Sequence, residues 1–200
     1  MPSPSLRHNE IRDLTATLLT EVCSDVCVEP TLQTTSDEVL SRNSANSTDG
    51  ARLDIAVNGF WGGRFERTYL DVRVFNPLAP SNNQTSLVRC FRKHELEKKG
   101  AYEERIREVE HASFTPLVLS ANGGWGKEAT SFYKRLASIL SEKWDQAYSC
   151  TVNWLRCKVS FSLLRSAIQC VRGARSSKGH TIKCPPTLDL VLAELSLQDH

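Results

Sequence analysis

Asp54 and Asp71 stand on two neighbouring runs of β-type composition, Leu53-Asp54-Ile55-Ala56-Val57 and Tyr69-Leu70-Asp71-Val72-Arg73-Val74-Phe75. Gly59 and the Gly62-Gly63 pair between them mark a turn, so the runs read as the arms of a hairpin. A hairpin brings such positions together, and paired carboxylates are the usual cage for Mg²⁺ that keeps several waters. A metal held there polarises a phosphodiester and generates hydroxide near neutral pH. Further on, Tyr102 falls four positions after Lys98 and three after Lys99, so either lysine can share its helix face. A lysine nearby would stabilise the charge gathering on a phosphate, or orient water. Glu10, early in the first helix, would add a further acid.

Each of these residues also has a plainer reading. The aspartates can be a solvent-facing strand pair neutralised by Arg73 or Arg52 across the sheet. The lysine pair can be a solvated helix face, and Tyr102 a packing residue.

The elements that must position these groups follow from periodicity. His8 to Glu21 reads as a helix, with Leu14, Leu18 and Val22 on one face and Ile11 beside them. Val26-Cys27-Val28 is a short strand stopped by Glu29-Pro30, and 31–50 is a polar loop. After the hairpin, Leu87 to Glu110 is a charge-dense helix weakened at Gly100. Phe114 to Ser120 is a buried strand, and Gly123-Gly124-Trp125-Gly126 lacks the lysine and spacing of a phosphate loop, so it reads as a tight turn. Helices follow at Lys127 to Lys143 and Thr151 to Arg172, and an apolar stretch at Leu188 to Leu197. The order is α-β-β-β-α-β and then helices, an α/β class. It divides into a core over 1–126, a helical extension over 127–175 and a loosely patterned tail over 176–200.

The formal charge of +2 over 200 residues announces no nucleic-acid binder, but its distribution does more. Between Cys150 and Cys184 there are basic residues and no acidic one. Lys158, Arg165 and Arg172 recur every seven residues as one stripe, opposite an apolar stripe of Leu155, Val159 and Leu163. That helix reads as docked on the core with either a DNA-facing or an ordinary cationic surface. The seven cysteines contain no CxxC pair, which argues against a closed zinc site and for reduced thiols in an intracellular protein. Asn46-Ser47-Thr48 and Asn83-Gln84-Thr85 are then coincidental. No signal pattern or membrane-length apolar run occurs, and the isolated histidines assemble no nucleophilic triad.

Arg52-Leu53-Asp54, the glycine-rich turn, Leu70-Asp71-Val72-Arg73-Val74, and Lys98-Lys99 with Tyr102 together resemble the PD-(D/E)XK nuclease superfamily. The likeness is greatest to the restriction-like endonuclease domain at the C-terminus of non-LTR retrotransposon polyproteins. Arg7-His8-Asn9-Glu10 with Arg12-Asp13, and Phe114-Thr115-Pro116-Leu117-Val118, resemble that family's helix and late strand. The likeness spans about Arg7 to Gly126 and implies an αβββαβ core around a mixed sheet. It also implies that Asp54 and Asp71 ligate Mg²⁺ or Mn²⁺, that Glu10 supports the site, and that Lys98 or Lys99 with Tyr102 completes it. Two positions depart from the pattern. Leu53 stands where proline is usual, and Arg73 stands where the superfamily has its strand lysine; arginine clamps phosphate but transfers protons poorly.

The expectation is a metal-dependent DNA endonuclease that nicks target DNA for a reverse transcriptase. It would be a fragment of a retroelement polyprotein, working in the nucleus. The rivals are a catalytically silent DNA-binding remnant of the same fold and a cellular repair or junction-resolving nuclease.

Overall fold

The computed structural model describes residues 5–33, 52–82 and 84–173, with side chains described over 6–33, 52–82 and 84–169. The elements are α1 (Ser5–Thr20), β1 (Ser24–Val28), β2 (Ile55–Asn58), β3 (Arg67–Phe75), α2 (Leu87–Glu108), β4 (Ser113–Ser120), α3 (Lys127–Trp144) and α4 (Tyr148–Gly173). Their succession is the one expected from periodicity, and the class is α/β. The four strands form one open mixed sheet in the order β1-β2-β3-β4. β1 pairs with β2 and β2 with β3 antiparallel, whereas β3 and β4 run parallel, joined by α2 as the long crossover a parallel pair requires. Pro116 sits on β4, which is an edge of the sheet among the described residues, where a missing N–H is tolerated.

The β2–β3 hairpin turns where the glycines stand. Gly59 adopts φ +83, a left-handed conformation that favours glycine, and its N–H donates to the Glu66 carbonyl at 2.9 Å. β1 is longer than the apolar run suggests. A register irregularity between Ser24 and Cys27, with Asp25 at φ 51, breaks the alternation by which a strand is read. Gly100 does not interrupt α2, because it lies exposed and the helix continues through it to Glu108.

Alternation along β3 divides the core. Leu70 and Val72 point to one face and join Ile55, Val57, Leu117 and Leu119 in a large cluster with α1, α3 and α4. Tyr69 and Phe75 point to the other, where α2 supplies Ile106 to one cluster and Cys90 and Phe91 to a second. The segment taken as a polar loop begins with packed residues. Thr31 bridges to Arg52, Leu32 is buried, and the Gln33 N–H donates to Glu110 at 2.7 Å. The rest of that segment (34–51), Asn83, and the tail with Leu188 to Leu197 lie outside the described residues. Among the described residues, five cysteines are free thiols, and no helix is long and apolar enough to cross a membrane.

Candidate active site

Asp71 sits mid-strand on β3, on the face covered by α2, and is 5% exposed. α2 crosses above it, and the Lys98 ammonium approaches Asp71 Oδ2 at 2.6 Å. That carboxylate oxygen is otherwise buried, with the Lys98 ammonium as its neighbour. Burial pushes the Asp71 carboxyl above its ordinary range; Lys98 opposes that rise, and the neighbouring charge of Asp54 adds to it.

Asp54 arrives from the hairpin's other arm. The last β2–β3 pair is Ile55↔Leu70, so one further step along the same register sets Asp54 opposite Asp71. Val72 lies beyond the paired stretch, and Asp54 Oδ2 accepts its N–H at 2.6 Å. Asp54 Oδ1 meets His8 Nε2 of α1 at 2.8 Å, and the Asp54 carbonyl accepts the Glu29 N–H at 2.9 Å. The hydrogen bond to Asp54 raises the His8 pKa; burial and Arg12 work against it, and the Asp54 and Asp71 charges reinforce it. His8 is the site residue that the sequence reading missed. It lies 46 positions from Asp54, with no spacing signal to connect them.

The two lysines part company. Lys98 takes Asp71, whereas Lys99 reaches Glu128 at the start of α3, at 2.7 Å. Both are partly covered, so the solvated-face reading of the pair fails. Tyr102 packs its ring against Phe114 at 5.7 Å and carries the Lys98 ammonium over it at 5.4 Å.

Other candidates are brought elsewhere. Glu10 does not join the acids: it turns to α4, where Arg165 Nη2 lies at 2.5 Å and Ser162 Oγ at 3.4 Å. Its place on α1 selects that neighbour, because α1 packs along α4. Arg165 is therefore tied to Glu10, although it stays exposed, and Lys158 lies over the Trp154 ring at 5.3 Å. Arg172 falls in the last turn of α4, beyond the described side chains. Neither Arg73 nor Arg52 neutralises the two aspartates. Arg73 pairs with Glu97 at 3.4 Å and Arg52 with Glu29 at 3.9 Å.

The glycine-rich turn before α3 is no phosphate cradle. Glu95 of α2 already fills the anion position there, accepting the Glu128 N–H at 3.0 Å. Among the described residues, no three His, Cys, Asp or Glu side chains are grouped to hold a metal ion by themselves.

What the arrangement offers is a buried acid on β3, a second acid just before β2, a partly covered ammonium and an imidazole. The chain matches no known family model and no curated protein.

Proposed function

We propose that the chain is a Mg²⁺- or Mn²⁺-dependent DNA endonuclease with a restriction-endonuclease-like core, acting through Asp54, Asp71 and Lys98. The observation that carries this reading is the Lys98 ammonium held on a buried strand aspartate, with a second aspartate one residue before the last β2–β3 pair and near enough for its charge to act on the first. The donors suit a hard cation. Both are carboxylates, Asp71 Oδ2 is buried with the Lys98 ammonium as its partner, and each Asp54 oxygen, though bonded once, keeps a second lone pair. Two protein ligands with the remaining positions left to water or phosphate is the ordinary state of Mg²⁺ sites. Such an ion, held by Asp54 and Asp71, would supply Lewis acidity at the phosphate and acidify a bound water.

The chain's own groups do the positioning. Val72 N–H and His8 fix the two oxygens of Asp54 and so fix where the acid points. Lys98, released from Asp71, meets the charge that develops on the phosphate, with the Tyr102 ring beneath it. Arg52, Arg73, Lys158, Arg165 and Arg172 are the candidates for backbone contacts to DNA. As a retroelement enzyme it would nick target DNA in the nucleus beside a reverse transcriptase.

One observation favours the rival, a DNA-binding remnant of the same fold. Arg73 occupies the strand position of the expected lysine and is engaged by Glu97. Supercoiled plasmid incubated with the protein and Mg²⁺ or Mn²⁺ separates the two. The enzyme reading expects nicking that drops at least about a hundredfold in Asp71→Ala and in Lys98→Ala, but survives in Lys99→Ala. Retention of DNA without nicking by the unaltered chain would assign it to the remnant.

A further inference from the structure

α4 carries two apolar faces. Leu155, Val159 and Leu163 are buried in the large cluster. On the other side Cys157, Phe161, Leu164 and Ile168 face solvent, with Phe161 64% exposed, Leu164 54% and Ile168 43%. These positions recur at steps of four, three and four, the spacing of a helix-pairing seam rather than of scattered surface residues. In sequence the pattern continues to Val171.

The charges that α4 itself sets beside this seam have one sign. Arg156, Lys158 and Arg165 flank it, Arg165 reaching back to Glu10, and no acidic residue occurs between Cys150 and Cys184. Two copies of such a face would set cation against cation, so charge argues against self-pairing. The complement is present further along the chain. Leu188, Leu192 and Leu195 repeat the four-three spacing, accompanied by Asp189 and Glu194, and no lysine or arginine follows Lys183.

The connection is long enough. The 14 residues from 174 to 187 reach on the order of 45 Å when extended. α4 from Cys157 to Gly173 measures about 24 Å, so the segment can turn back and lie along the seam.

We propose that the acidic, leucine-rich segment 188–197 docks in cis on the basic-flanked seam of α4 formed by Cys157, Phe161, Leu164 and Ile168. The inference stands apart from the nuclease reading and holds whether or not the chain cuts DNA. Hydrogen exchange of the full chain, read by mass spectrometry, tests it. Amides of 188–197 should exchange at least about tenfold more slowly than in a free peptide of the same sequence, at every protein concentration. Phe161→Ser with Leu164→Ser should abolish that protection while leaving β3 and α3 unchanged, because both side chains face solvent. Asp189→Lys with Glu194→Lys should reduce it at low salt. An unprotected segment, or protection that survives Phe161→Ser with Leu164→Ser, overturns the proposal. Protection that appears only together with a concentration-dependent dimer also overturns it, and gives the seam to a second copy.

Discussion

The two faces of the sheet are packed in different ways. On one, α1, α3 and α4 close over a single cluster that runs from Ile11 and Leu19 through Leu70 and Leu117 to Leu136 and Val159. On the other, α2 rests on two separate clusters, one around Tyr69 and Ile106 and the other around Phe75 and Phe91. Between those clusters on β3 lies Asp71, with Lys98 above it. A continuous apolar face contributes most to stability. The interrupted face gives up part of that contribution and gains a place where charges can be held at low exposure.

The contrast can be broken energetically. Leu136→Ala removes a fully buried side chain from the large cluster and should cost about 3 kcal/mol in urea unfolding. Ile106→Ala, equally buried but in the smaller cluster, should cost less, about 2 kcal/mol, because its surroundings relax more readily. Equal costs would remove the energetic distinction between the faces.

A third substitution should act with the opposite sign. Asp71→Asn takes a buried charge out of the interrupted face and should stabilise the fold by about 1 kcal/mol at pH 7. The Asp71 carboxyl is raised in the folded state, so its ionisation opposes folding. The penalty is absent below the ordinary value of 3.8 and grows as pH rises through the folded value. The gain from Asp71→Asn should therefore vanish in acid, and a loss of stability at pH 7 would mean that the Lys98 pairing outweighs burial.

The smallest effect belongs to His8. Its folded pKa is raised, so its contribution is fully present below the ordinary value of 6.5 and is lost as pH rises through the folded value. His8→Ala should flatten that segment of the stability–pH curve, by under about 1 kcal/mol. An unchanged curve would show that the contact with Asp54 carries no net energy.

Much of this was legible because it is local. Periodicity separates helices from strands, and the hairpin turn sets Asp54 against Asp71 with no further information. The helical offset of Tyr102 placed it with a lysine but left Lys98 and Lys99 equivalent, since three and four residues share a face equally well. What chose between them was the position of Glu128 on another helix. Long-range partners were illegible for the same reason. His8 meets Asp54 because α1 lies across the sheet, and Glu10 meets Arg165 across 155 positions. A spacing rule within one element sees neither contact. Tyr102 appeared as a candidate site residue and serves as a packed ring beneath the cation.

The pair that Lys99 forms has a consequence for its neighbour. Successive helix residues point about 100° apart, so any roll of α2 that withdrew Lys98 from Asp71 would also drag Lys99 off Glu128 and Glu95 off the Glu128 amide. Those two attachments act as a rotational stop. Any reorientation of the Lys98 ammonium is then left to its own four-carbon arm swinging from a stationary backbone, a response on the timescale of rotamer change rather than of helix motion.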